Sequence, residues 1–309
     1  MLGVIDVMNT GSLISGVSLW HKLSAMLELA KIKVVALIAF TAWAGMLLAS
    51  KPFQADVPLM LWSLLGISLA AASGAAINHL LDERFDEKMQ RTKARPLPTA
   101  RVSEKEVLVV AVVWMLLAMA ILLYFVNWLT ALLTFFALVG YAIVYTVYLK
   151  HNTPQNIVWG GAAGAAPPLL GWVAMTGQVT WEGFILFLII FIWTPPHFWP
   201  LAIHRLEDYK RAGIPMLPVV RGVPHTKFQV LLYTLVLTSV TLLPTTIGMS
   251  GITYLSIALL LNMGFVYYAF KLYREPDHQS AMGTFGFSIL YLTLLFAGLI
   301  LDHYVKAWL

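Results

Sequence analysis

The chain contains no cysteine and few charged residues. Without cysteine it has no disulfide framework, no thiolate metal site and no cysteine nucleophile. Charged residues make up 11% of the 309, against about 25% in soluble domains. No stretch resembles a Walker loop, a dinucleotide fingerprint or a Ser-His-Asp triad. Hydrophobic residues make up 60% of the chain, which predicts an integral membrane protein.

The apolar residues are grouped into segments long enough to cross a bilayer as helices, which favours a helical bundle over a β-barrel. The sequence predicts an all-α membrane protein with about nine transmembrane helices. We treat residues 1–309 as one transmembrane domain, with 1–30 as an N-terminal segment before the first span. The predicted spans are 33–50, 57–80, 106–126, 128–148, 156–176, 183–203, 228–248, 251–271 and 284–301.

The basic residues fall on one predicted side of the membrane. Of the 20 Lys and Arg residues, all except Lys51 and Lys306 lie in alternate connections. The positive-inside rule therefore predicts a cytoplasmic N-terminus and cytoplasmic connections at 81–105 and 204–227. A basic inner loop that only sets topology is the simpler alternative, but it does not explain the acidic residues that accompany the basic ones.

An acidic motif follows the second span. Asn78, Asp82 and Asp86 are four residues apart, so on a helix they share one face. Asp82 and Asp86 are candidate Mg²⁺ ligands, because Mg²⁺ often binds one or two carboxylates together with substrate phosphates. The basic residues that follow could bind the same phosphates. The alternative is a solvated helix end with local salt bridges, but ionisable residues at the end of a membrane helix favour a functional site.

A second polar cluster ends the sixth span, where Asp208 follows His204 by one turn. Its similarity to the first motif suggests two related halves that face one cavity. Asp208 is a further candidate catalytic residue; the alternative is that it pairs locally with Lys210 or Arg211. Basic side chains near both clusters could neutralise a diphosphate. These candidates are Arg91, Arg95, Lys150 and Arg211.

The fifth span is rich in glycine, and the sixth span contains several prolines. Gly160 and Gly164 form a small-xxx-small pattern that predicts close helix packing, with backbone beside a ligand as the alternative. Three prolines between residues 195 and 200 predict a kink and freed carbonyls. His197 lies among them and needs a partner or a cavity inside a membrane. Its residue type fits a structural histidine as well as a ligand.

These motifs together resemble the UbiA superfamily of intramembrane prenyltransferases over about residues 30 to 300. The superfamily resemblance rests on Asn78-xxx-Asp82-xxx-Asp86, on Arg91-Thr-x-x-Arg95-Pro96 and on the cluster that ends the sixth span. The haem-modifying branch is indicated by Tyr145-Thr-x-x-Leu-Lys150, Asn156-Ile-Val-x-Gly160-Gly161, Trp193-Thr-Pro-Pro-His197-Phe and Asp208-Tyr-Lys-Arg211-Ala-Gly213. Two departures stand out. His204 replaces the first aspartate of the second pair found in quinone-pathway members, and His151 replaces a usual arginine.

The resemblance implies Mg²⁺-dependent transfer of a farnesyl group from farnesyl diphosphate to a vinyl group of protohaem IX, giving haem O and diphosphate. It implies roles in metal and diphosphate binding for the acidic and basic residues above, and haem contacts for His197 or His204. It also implies a multi-pass protein of the bacterial inner membrane, with a contact to haem A synthase as an open expectation.

Three other functions compete with this interpretation. An aromatic prenyltransferase of quinone biosynthesis would share the first motif, but His204 counts against it. A transporter would also use repeated halves, yet the charges lie at the helix ends and not at the midplane. A structural subunit of a respiratory complex gives no reason for the acidic motif.

Overall fold

The computed structural model describes residues 22, 24–86 and 92–308, with the side chains of residues 84 and 85 outside that description. Within these ranges nine helices are long and apolar enough to cross a membrane, and no strand occurs. The predicted all-α fold is therefore confirmed. The helices are α1 Ile32–Ala49, α2 Val57–Asp86, α3 Glu104–Phe125, α4 Trp128–Asn152, α5 Asn156–Thr176, α6 Trp181–His204, α7 Val223–Val240, α8 Ile252–Arg274 and α9 Ala281–Val305.

Several helix ends differ from the predicted boundaries. Helix α2 continues beyond residue 80 to Asp86, so the acidic motif is helical. Helix α4 contains a π-helix over Gly140–Leu149, and the amide of Lys150 donates to the carbonyl of Tyr145, five residues earlier. Helix α7 ends at Val240, four residues before Pro244. A separate short helix, Leu243–Thr246, follows.

The predicted prolines are accommodated inside continuous helices. Pro195, Pro196 and Pro200 all lie within α6, which runs unbroken from Trp181 to His204. Prolines also lie inside α5, at positions 167 and 168. Pro residues are tolerated in membrane helices where neighbouring helices and side chains satisfy the freed backbone groups.

Glycines allow α1 and α5 to approach closely. A Cβ on Gly45 would lie 2.1 Å from the carbonyl oxygen of Pro168, and one on Gly171 would lie 2.0 Å from that of Ala42. Only glycine fits at these two positions, so the backbones of the two helices touch. Close approach through small residues is the usual basis of helix packing in membranes, and here it fixes α1 as one wall of the cavity described below.

The last three helices are joined by a buried polar network. The hydroxyl of Tyr291 donates to Oδ1 of Asn262 at 2.7 Å, and Nδ2 of Asn262 donates to Oγ1 of Thr241 at 2.9 Å. The buried carboxylate of Asp302 on α9 accepts hydrogen bonds from the amide of Gly251 at 2.6 Å and from that of Tyr254 at 3.1 Å. It therefore satisfies the free amides at the start of α8. These contacts hold α7, α8 and α9 together away from the acidic motif.

Candidate active site

The acidic motif lies on the final turns of α2 and is buried. Asn78, Asp82 and Asp86 are 4%, 2% and 3% exposed. Nδ2 of Asn78 donates to Oδ2 of Asp82 at 2.7 Å and to Oγ1 of Thr146 on α4 at 3.1 Å. A solvated helix end would leave these side chains in water, so the structure does not support that alternative.

Each aspartate of the motif pairs with one basic residue. Nζ of Lys150 lies 2.6 Å from Oδ1 of Asp82, and Nη1 of Arg95 lies 2.5 Å from Oδ2 of Asp86. Lys150 directly follows the π-helix of α4, and such wider turns are often found at functional sites. Lys150 and Arg95, both predicted from the sequence, are thus placed beside the carboxylates. The other predicted base of this connection, Arg91, lies outside the described residues.

Lys31 also lies among these polar side chains, although no motif in the sequence indicates it. In the sequence it is only a basic residue that precedes the predicted first span. Its Nζ donates to Oδ1 of Asn78 at 2.6 Å and contacts the hydroxyl of Tyr141 at 3.3 Å. Burial, and after it the nearby guanidinium of Arg95, lowers the pKa of Lys31 from 10.5 to about 7.

The charges of this cluster favour an anionic ligand. We define the polar cluster as Asn78, Asp82, Asp86, Lys31, Arg95 and Lys150. Its three basic side chains outnumber its two carboxylates. A buried charge without a counter-charge is unfavourable, so an incoming anion would stabilise the cluster.

The carboxylates fit a metal ion whose coordination is completed by another molecule. No group of three or more His, Cys, Asp or Glu residues in the described ranges could hold a metal by itself. Asp82 and Asp86 offer oxygen ligands one helical turn apart, and Mg²⁺ commonly binds one or two carboxylates plus substrate phosphates. The residues present therefore fit a magnesium-bound phosphate compound better than a metal held by protein alone.

A deep apolar cavity opens beside the polar cluster. Its volume is about 370 Å³, and its walls come from α1, α2, α4, α5 and α6, with one residue from α9. Lys31 and Tyr141 line its polar end, while Ile67, Leu170 and Leu292 line it elsewhere. The cavity-lining residues of α2 include positions 67, 71 and 74, which continue the helix face that carries the acidic motif. One face of α2 thus serves both the cavity and the polar cluster.

The two glycines of the predicted packing pattern have different surroundings. A Cβ on Gly160 would lie 2.1 Å from the ring of Tyr145, as expected for close packing. Both glycines line the cavity, but a Cβ on Gly164 would meet nothing within 4 Å. The packing prediction was therefore wrong for Gly164, because the cavity lies between it and the neighbouring helices. The alternative, backbone beside a ligand, stays a prediction for this residue, which borders the cavity.

The second predicted cluster is held by local ion pairs. Asp208 is 7% exposed and lies on a short helix, Leu206–Arg211. Its carboxylate is 2.5 Å from Nη2 of Arg211 and 3.7 Å from Nη1 of Arg205. In the described ranges Asp208 forms ion pairs with arginines of its own segment, whereas Asp82 and Asp86 pair with Lys150 and Arg95. His204, one turn earlier, is exposed.

His197 is fixed between two aromatic rings. Its ring stacks on Trp193 and Phe285, with centroid separations of 4.1 and 4.7 Å. Nδ1 lies 2.7 Å from Oγ of Ser288, and that hydroxyl donates to the carbonyl of Phe285 at 2.6 Å. A serine hydroxyl has one hydrogen, so when it donates to this carbonyl, Nδ1 of His197 is the donor to Oγ of Ser288. In that tautomer Nε2 of the neutral ring carries a lone pair.

The sequence pattern of the UbiA prenyltransferase family matches residues 37–298, which include all of α2 and most of the residues that line the cavity. The chain belongs to the UbiA prenyltransferase family. A "Protoheme IX farnesyltransferase" from Thioalkalivibrio sulfidiphilus is 61% identical over 279 residues, 90% of this chain and 92% of that protein. This UbiA-family protein is thus a multi-pass membrane protein with close curated relatives along nearly its whole length.

Solved structures share the same UbiA fold. A digeranylgeranylglyceryl phosphate synthase has a TM-score of 0.78 at 21% identity, over 92% of this chain and 99% of that one. A UbiA homologue from Archaeoglobus fulgidus, bound to DMAPP and Mg²⁺, has a TM-score of 0.62 at 17% identity. That match covers 89% of this chain and 98% of the other. At these identities the similarity establishes the fold.

Proposed function

We propose that this protein transfers the farnesyl group of farnesyl diphosphate to a vinyl group of protohaem IX, with Mg²⁺, to give haem O and diphosphate. One observation carries the proposal: the buried polar cluster opens directly onto a deep apolar cavity. A prenyl diphosphate has a matching division into a charged head and an apolar tail. The Archaeoglobus fulgidus homologue was solved with DMAPP, a short compound of this type.

The length of the cavity suits a farnesyl tail. Lys31 and Thr41 both line it, and the helical rise of about 1.5 Å per residue places them about 15 Å apart along α1. The main chain of an extended farnesyl group is roughly 14 Å long, from C–C bonds of about 1.5 Å. The volume of about 370 Å³ also lies within the usual range of small-molecule sites, about 300–1,000 Å³.

Asp82 and Asp86 are the residues that would hold Mg²⁺. The ion, when bound, supplies Lewis acid stabilisation of the leaving diphosphate. Lys150 and Arg95, now paired with these carboxylates, would then turn to phosphate oxygens. Arginine binds phosphate through two parallel hydrogen bonds and lysine as a point charge. We assign Asn78 to orienting the head group.

Asp208 and Arg211 are proposed to contribute to the same head group from the second cluster. Arg211 is exposed beyond its pair with Asp208, so its guanidinium is available to a ligand. We also propose that Arg91 contacts the diphosphate, on the basis of the sequence motif alone. The preorganised basic groups would stabilise charge that develops on the leaving group, which is often the largest contribution to such catalysis.

The chemical step breaks the bond between the first farnesyl carbon and the diphosphate oxygen, and the electron pair leaves with the oxygen. The allylic cation bonds to the haem vinyl group, and water then supplies the hydroxyl group and releases a proton. The stacked rings of Tyr141 and Tyr145, 5.9 Å apart, line the cavity where the cation would form. Aromatic faces stabilise cations, and the apolar walls exclude water until the new bond exists.

The haem acceptor is supported by the name of the relative at 61% identity and by the histidine at position 204. Nε2 of His197 has the lone pair that an iron contact requires, and exposed His204 could contact a haem propionate. We further propose a bacterial inner membrane location with the polar cluster on the cytoplasmic side, where diphosphates and Mg²⁺ are available. Contact with haem A synthase would follow from product transfer.

The test is mass spectrometry of haems after incubation of the purified protein in lipid nanodiscs with haem B, farnesyl diphosphate and Mg²⁺. The expected product is haem O, with no product when Mg²⁺ is chelated. A parallel incubation replaces haem B with 4-hydroxybenzoate. Prenylated benzoate without haem O would replace the proposal with the quinone-pathway activity. In sealed vesicles, movement of farnesyl diphosphate across the membrane without release of inorganic diphosphate would replace the proposal with transport.

A further inference from the structure

Lys31 lies where the polar cluster meets the apolar cavity. Among the described cavity-lining residues it is the one charged side chain. Its Nζ is 2.6 Å from Oδ1 of Asn78, so the ammonium group also belongs to the polar cluster. If a prenyl diphosphate binds as proposed above, this junction is where its first carbon joins the phosphate.

The ammonium of Lys31 has neutral partners in the described part of the chain. Its hydrogen bonds go to the amide oxygen of Asn78 and the hydroxyl of Tyr141. The carboxylates of the cluster are instead paired with Lys150 and Arg95. Lys31 therefore has no carboxylate hydrogen-bonded to it in the described part of the chain, and a bound anion would stabilise its ammonium form.

The backbone places this side chain inside the protein. Lys31 has φ 50° and ψ 54°, a left-handed conformation that non-glycine residues rarely adopt and that is enriched at functional sites. Its carbonyl accepts the amides of Val34 and Val35, which begin α1. Two residues later, Lys33 is exposed. The two lysines are close in sequence, but only Lys31 contacts the cluster, and this makes Lys33 a matched control.

We propose that Lys31 is a catalytic residue that contacts the diphosphate of the prenyl donor at the phosphate joined to the prenyl group. This inference rests on the proposed function and adds a residue to it. As the carbon–oxygen bond breaks, the electron pair stays on the diphosphate oxygen. The ammonium of Lys31 donates a hydrogen bond to that oxygen and keeps its proton.

The experiment compares the wild type with Lys31→Gln, Lys31→Met and Lys33→Gln in lipid nanodiscs. Gln at position 31 can still donate to Asn78 without a charge, so this variant separates the charge from structural hydrogen bonding. Binding of inorganic diphosphate with Mg²⁺ is measured by calorimetry, and farnesyl transfer to haem B by mass spectrometry. Thermal unfolding and gel filtration establish that each variant is folded.

We expect both Lys31 variants to bind diphosphate at least tenfold more weakly and to lose roughly 100-fold in turnover, as when one oxyanion donor is removed. Lys33→Gln should match the wild type in both. If folded Lys31→Gln binds and turns over like the wild type, the role of Lys31 is refuted while the proposed function stands. If the wild type itself does not bind diphosphate, both the role and the proposed function are refuted.

Discussion

Gly164 offers a direct test of whether the cavity holds the prenyl tail. A Cβ at this position meets nothing within 4 Å and Gly164 lines the cavity, so we expect a larger side chain to extend into the cavity. We expect Gly164→Leu to fold, because leucine is favoured over glycine in a helix by about 0.8 kcal/mol. The new side chain would instead compete with the middle and distal parts of a bound farnesyl group.

The size of the effect follows from the apolar area that the ligand loses. Burial of one methylene is worth about 0.8 kcal/mol, so a displaced five-carbon isoprene unit loses about 4 kcal/mol. Each 1.4 kcal/mol is about tenfold in affinity, which gives a ceiling of about 1,000-fold for farnesyl diphosphate. Dimethylallyl diphosphate is one isoprene unit long and should be affected least, because it need not reach the depth of Gly164.

The assay measures kcat/KM for dimethylallyl, geranyl and farnesyl diphosphate with haem B as acceptor. We expect Gly164→Leu to shift the preference toward the shorter donors. Gly286→Leu on α9 is the matched control, since a Cβ there also meets nothing within 4 Å but Gly286 does not line the cavity. A folded Gly164→Leu variant that keeps the wild-type preference for farnesyl diphosphate would show that the tail binds elsewhere.

Three further predictions concern individual aspartates. Asp82→Asn should lower haem O formation at least 100-fold, because a metal ligand and the counter-charge of Lys150 are lost. The control is Asp56→Asn, at an exposed residue. Near wild-type haem O formation by Asp82→Asn would contradict the metal role. Asp208→Asn should weaken diphosphate binding in calorimetry, and unchanged affinity would restrict Asp208 to its pair with Arg211. Asp302→Ala should lower the free energy of unfolding by about 1–3 kcal/mol, because the amides at the start of α8 lose their acceptor. Diphosphate affinity should stay constant, and a loss of affinity would link Asp302 to the site.

The sequence alone determined the fold class and the position of the acidic motif. A membrane span must satisfy its own backbone hydrogen bonds, so long apolar segments can only be helices or barrel strands, and their length indicates helices. The spacing of Asn78, Asp82 and Asp86 likewise determined that they share a face once α2 extends to Asp86. Both inferences use local geometry, which needs no knowledge of the neighbouring helices.

Only the tertiary structure decided which distant residues join that motif. Lys31 lies 47 residues before Asn78, and nothing in its own segment indicates that its ammonium reaches the amide oxygen of Asn78. Gly164 and Gly160 belong to one sequence pattern and both line the cavity, yet a Cβ on Gly160 would meet the ring of Tyr145 and one on Gly164 would meet nothing within 4 Å. Such differences depend on which side chains of the neighbouring helices face each residue. The packing between helices decides this, and the apolar periodicity of a single helix does not indicate it.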